Sequence, residues 1–134
     1  MMVHGRCHCG GVTFEAEVEP DEAFICHCTD CRALSASAFR TLVRCRRNAF
    51  YPLTGTPRFY IKKAESGARR ALAFCGNCGS AIHSTDADDR AADYFIRTGV
   101  LAEAAALAPR RQLWTVSALP WLERIPHLPG RPRG

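Results

Sequence analysis

No uninterrupted apolar run in the chain approaches the roughly 18 residues that a membrane-spanning helix requires, so no membrane partner is expected. The opening residues, Met1-Met2-Val3-His4-Gly5-Arg6-Cys7, have no apolar stretch behind a charged start. A secretory leader is therefore not expected, and the cytoplasm is the expected compartment. A Gly-rich phosphate loop, a Gly-x-Ser-x-Gly elbow and a His-Glu-x-x-His helix are all absent. Those absences argue against P-loop nucleotide chemistry, α/β-hydrolase chemistry and zincin-type proteolysis. Concentrated basic runs of the kind that follow a phosphate backbone are lacking too, so nucleic acid is not the expected partner.

What the sequence does hold is cysteine, eight in 134 residues. The length suits one domain, read as a zinc domain over residues 1–126 with a Pro/Arg-rich tail over 127–134. The cysteine content falls short of a disulfide-stapled scaffold. In a reducing compartment, closely spaced cysteines read as metal ligands or redox groups. Lys+Arg 18 against Asp+Glu 13 gives a formal charge of +5, compatible with an anionic small molecule or a weak nucleic-acid contact. Only Lys62 and Lys63 are lysines, so the positive charge is almost all arginine.

Alternation of apolar and polar residues predicts strands at Val12 to Val18, Phe39 to Arg46, Arg58 to Lys63, Arg70 to Phe74, Ala81 to Thr85 and Tyr94 to Thr98. The chain is thus mainly β, with packed antiparallel sheets and one or two short helices. One helix is expected after Thr29-Asp30, where either residue would cap it, and one over Ala102 to Ala108, stopped by Pro109. From Pro126 the chain is expected to fray.

Seven cysteines form three clusters: Cys7-x-Cys9, Cys26-x-Cys28-x-x-Cys31 and Cys75-x-x-Cys78. Two sulfurs this close in sequence reach one ion only around a tight turn. Gly10 and Gly79, each directly after the second cysteine of a pair, suit such a turn. A closed structural site takes four ligands and a catalytic one keeps three plus an open position. The simplest partition joins Cys7, Cys9, Cys75 and Cys78, leaving Cys26, Cys28 and Cys31 as an open triad. Spacing does not force it, because His8, His27 or His83 could close the triad into a second structural site. Cys75-Gly76-Asn77-Cys78 also admits a redox reading, though a strand rather than a helix is predicted after it. Cys45 stands alone between Arg44 and Arg46, on a face shared with Phe39 and Val43 that favours a packing role.

Three segments together carry a family resemblance: Gly5-Arg6-Cys7-His8-Cys9-Gly10-Gly11-Val12-Thr13-Phe14-Glu15, Cys26-His27-Cys28-Thr29-Asp30-Cys31-Arg32-Ala33-Leu34-Ser35, and Phe74-Cys75-Gly76-Asn77-Cys78-Gly79-Ser80. With Arg97-Thr98-Gly99-Val100-Leu101 and Leu119-Pro120-Trp121, the chain resembles the glutathione-dependent formaldehyde-activating (GFA) enzyme family, which includes centromere protein V. The resemblance implies a β-tent-like fold and two zinc ions per chain. One would be structural, on Cys7, Cys9, Cys75 and Cys78; the other labile and catalytic, on Cys26, Cys28 and Cys31. It further implies a carbon-sulfur lyase joining glutathione to formaldehyde. The alternative is a non-enzymatic zinc module that binds protein or nucleic acid. Arginine forks suit the carboxylates of a glutathione-like thiol, and Arg32, Arg40 and Arg44 are the candidates. The chain departs from the family pattern at Ala36, where Gly is common, and this bears on the pocket beside the triad.

Overall fold

The computed structural model describes residues 1–134 as a mainly β protein. Its strands are β1 (Met2–Arg6), β2 (Thr13–Cys26), β3 (Arg40–Thr54), β4 (Arg58–Lys63), β5 (Arg69–Phe74), β6 (Ala81–Asp86), β7 (Tyr94–Arg97) and β8 (Arg111–Leu113), with one short helix, α1 (Thr29–Ser35). Hydrogen bonding links the strands in the order β1-β2-β3-β7-β6-β5-β4, with β8 beside β2. Every pairing is antiparallel except that of β2 with β8. No helix is long and apolar enough to cross a membrane.

Register divides the sheet into two buried faces, because successive strand side chains point to opposite sides. Ala23 lies opposite Val43 and Val43 opposite Ile96, all in a larger core of 15 buried residues. One rung away, Phe24 lies opposite Leu42 and Leu42 opposite Arg97. Phe24 and Leu42 belong to a second core with Cys26 and Cys31, against which Phe95 and Cys28 pack. This second core explains why Arg40 and Leu42, placed by alternation on the face away from Val43, are buried. A register shift between Ala73 and Phe74 accommodates one extra residue on β6. Ile82 and His83 therefore both serve the larger core's side, while Ser84, opposite Leu72 and Phe95, serves the other.

The expectation for Ala102 to Ala108 needs correction: only Ala104–Ala106 forms a 3-10 turn. Seven residues cut off by Pro109 are too few to offset helix nucleation. Sequence reading also passed over β1, whose Val3 and Gly5 alternate inward, and the three-residue β8. Strands β2 and β3 run well past the alternation that signalled them, with register shifts that break their period. Helix α1 lies where expected, but its cap is Cys28, whose sulfur accepts the Cys31 backbone N–H, rather than Thr29 or Asp30. Near the end, Leu122–His127 is a 3-10 segment enclosing Pro126.

Candidate metal centres and an adjoining cationic cavity

The sulfurs of Cys7, Cys9, Cys75 and Cys78 all lie within 4.8 Å of one another, although 66 residues separate the middle two in sequence. Two similar turns bring them together. Gly10 N–H donates to the Cys7 carbonyl at 2.9 Å, and Gly79 N–H to the Cys75 carbonyl at 2.8 Å. Both glycines have positive φ, +79° and +77°, the conformation expected for them. Sγ–Sγ distances of 3.6 Å (Cys7 to Cys9) and 3.7 Å (Cys9 to Cys75) match the edge of about 3.8 Å of a tetrahedron with zinc–sulfur bonds of about 2.3 Å. They are far too long for a disulfide, and all eight cysteines are free.

Donors around this cluster favour thiolates. Val12 N–H donates to Cys7 Sγ at 3.2 Å, and Ser80 Oγ lies 3.2 Å from Cys78 Sγ. The Ser80 contact, with backbone N–H groups, lowers the Cys78 thiol to about 5. Ser80 Oγ also accepts His8 N–H at 3.0 Å, which ties the two turns together. The chain leaves Cys78 into β6, so no helix N-terminus stands behind the pair as a dithiol redox motif would have it.

The other three sulfurs, of Cys26, Cys28 and Cys31, also lie within 4.8 Å of one another, and no His, Asp or Glu joins them. Cys26 ends β2, Cys28 caps α1 and Cys31 lies in its first turn. His27 turns away, its Nε2 at 2.7 Å from Gln112 Oε1 and its ring against Phe39. His83 is in the larger core's side of the sheet, and His8 sits at the four-cysteine turns. Burial opposes ionisation of Cys28, yet hydrogen bonds from Cys31 and Cys26 and the charge of Arg40 hold its thiol below the ordinary range. Burial and the neighbouring sulfurs push Cys31 up. Three such sulfurs cannot all be thiolates without a cation among them. The set fits a metal with three protein ligands and an open position.

Beside Cys26 is a cavity of about 130 Å³, lined also by Arg40, Lys62, Arg70 and Ser84 and by no carboxylate. Arg40 is 8% exposed, and its Nε and one Nη have no hydrogen-bond partner. Arg97, 6% exposed, is held only by long contacts to Ser84 Oγ and the Phe95 carbonyl, both 3.5 Å, and burial lowers it to about 9. Lys62 reaches Asp30 at 2.7 Å, and the Arg70 guanidinium lies over the Phe95 ring.

Of the expected arginines, Arg40 is thus at the triad. Arg32 is next to it in α1 with an unpartnered Nε. Arg44 shares the face but lies four residues along β3, roughly 13 Å away, where Asp93 binds its Nε at 2.7 Å. Sequence reasoning missed Arg97, Arg70 and Lys62, which long-range strand pairing brings in. Arg97 alone had a signal, standing in one of the segments that resemble the family.

At the end of α1, Ala36 adopts φ 48°, ψ 41°. This is the left-handed conformation for which glycine is the usual residue. Cys45, 1% exposed in the larger core, is pushed up to about 11 by burial, as a packing thiol should be.

Fold and site define a small mainly β protein with two cysteine clusters, each able to hold a metal ion. The model of the glutathione-dependent formaldehyde-activating enzyme family matches residues 2–117, and the chain belongs to that family. No curated protein matches it. Among solved structures, a Rhodobacter sphaeroides protein is similar at 21% identity with a TM-score of 0.62, covering 84% of this chain and 99% of its own. That likeness concerns the fold.

Proposed function

We propose that the protein is a zinc-dependent carbon-sulfur lyase of the S-(hydroxymethyl)glutathione synthase type, acting on glutathione or a similar thiol and a small aldehyde. In this reading Cys7, Cys9, Cys75 and Cys78 hold a structural zinc and Cys26, Cys28 and Cys31 a labile catalytic one, in a cytoplasmic protein. Zinc bound by the triad supplies a Lewis acid that stabilises a thiolate or polarises a carbonyl oxygen.

The observation that carries the reading is the cationic cavity at Cys26. Arg40, Lys62 and Arg70 line it without a carboxylate, and guanidinium nitrogens of Arg40 and Arg97 are buried without partners. A buried cation left unpaired is costly, and carboxylates of a thiol substrate supply the missing charge. Arg40 and Arg70 orient one carboxylate end of the substrate, and the apolar walls of Phe24, Leu42 and Phe95 keep water from that end. The sulfur is thereby directed to the triad. There the thiol sulfur bonds to the aldehyde carbon as the carbonyl π bond opens, and the thiol proton ends on the new hydroxyl oxygen.

Exchange NMR on a formaldehyde and glutathione mixture tests this. The zinc-loaded protein should accelerate interconversion, and Cys31→Ser should abolish the acceleration. Arg40→Gln should raise the glutathione concentration needed for half-maximal effect by about tenfold or more, as expected for a charged hydrogen bond. Absence of acceleration by the wild type would overturn the proposal, and salt-sensitive binding to DNA or RNA would then favour a zinc binding module. Against that alternative, Arg44, Arg69, Arg110 and Arg111 are each already tied to a carboxylate.

A further inference from the structure

A second cavity, of about 340 Å³, opens on the larger core's side of the sheet and shares no residue with the cationic one. Strand alternation places them apart: Tyr94 and His83 line this cavity, while their neighbours Phe95 and Ser84 line the other. Its size falls within the range of small-molecule sites, about 300–1,000 Å³.

Aromatic rings form the walls. Phe14 and Phe50 stack at 4.8 Å, and Phe50 and Tyr94 meet at 4.8 Å. The His83 ring lies 4.5 Å from Tyr94, 5.1 Å from Phe50 and 6.2 Å from Phe59. Phe59, 53% exposed, stands at the rim, where its ring is open to a ligand.

Two polar side chains converge on these rings, and neither makes a hydrogen bond or ion pair within the chain. The Arg47 guanidinium lies 4.5 Å over the Tyr94 ring and has no carboxylate partner, for Asp93 accepts only its backbone N–H. His83 is 4% exposed, and its Nδ1 is buried without a hydrogen bond. A residue needed only for packing would avoid that cost by being apolar. Burial and the charges of Arg97 and Arg47 lower His83 to about 4, so it is a neutral imidazole with one donor and one acceptor.

We propose that this cavity is a second ligand site, built for a small planar aromatic carboxylate. The ligand ring lies among Phe50, Phe59 and Tyr94, its carboxylate pairs with Arg47, and His83 offers a hydrogen bond from the cavity wall. Because the cavity lies across the sheet from the triad, the site is independent of the thiol chemistry.

The test uses the zinc-loaded full chain and 2-naphthoate as probe, with calorimetry for affinity and chemical-shift changes for location. Comparators are 2-naphthylmethanol, which lacks the charge, and heptanoate, which lacks the ring. One 2-naphthoate should bind per chain, about tenfold more tightly than either comparator. Arg47→Gln and Phe59→Ala should each weaken it about tenfold while melting within a few degrees of wild type, and Arg47→Lys should recover part of the loss. Cys31→Ser and saturating glutathione should leave binding unchanged. No binding at millimolar probe, equal affinity for heptanoate or 2-naphthylmethanol, or displacement by glutathione would overturn the proposal.

Discussion

At the end of the larger core, four sulfurs sit on two glycine-hinged turns 66 residues apart, with hydrogen-bond donors at Cys7 and Cys78. At the smaller core, three sulfurs come from one continuous segment, with unpartnered arginines beside them. The first arrangement ties β1 to the β5–β6 connection, so whatever binds there holds together distant parts of the chain. The second is local, and its loss would leave the strand pairing in place. In the proposed function the same ligand type would serve closure where the ligand count is four and the turns are matched, and chemistry where the count is three and the surroundings are charged.

The sharpest way to break this comparison is to exchange the damage. Cys75→Ser should cost several kcal/mol, of the order expected when a structural zinc is weakened, and circular dichroism should show early melting or no folding. Cys31→Ser should melt close to wild type while losing one metal ion. Equal destabilisation by the two would erase the distinction.

A smaller effect separates the two faces by pH. The depressed pKa of His83 means that the unfolded chain binds more protons than the folded one between pH of about 6.5 and about 4. Its contribution is therefore complete above about 6.5 and lost as pH falls through that window. It is worth at most about 3 kcal/mol. Subtracting the acid-melting curve of His83→Phe from that of wild type should isolate this slope, and identical curves would contradict it.

Smallest is the strain beside the triad. Ala36→Gly should stabilise by up to about 1 kcal/mol, since glycine takes the left-handed conformation without the penalty of a Cβ. A lower melting temperature would show that the position is not strained.

Local features were legible in the sequence. The bounds of β4 agree with its alternation, α1 lies where expected, and the three cysteine clusters are evident from spacing. Gly10 and Gly79 announced their turns because positive φ is a local demand. What stayed hidden depends on distant pairing. Arg97 becomes a site neighbour because β7 lies opposite Leu42, and Arg70 and Lys62 because β4 and β5 face each other. The aromatic cavity rests on a one-residue shift at Ile82 that no period reveals. Arg44 shared a periodic face with Arg40, but periodicity is blind to the Asp93 carboxylate that occupies it.

Metal content measured before and after a mild chelator, with circular dichroism on the same samples, tests the central claim most directly. Two zinc ions per chain are predicted, of which the chelator removes one while the β spectrum persists. A single tightly held ion, or two that leave together as the fold collapses, would contradict the division into a structural and a chemical centre.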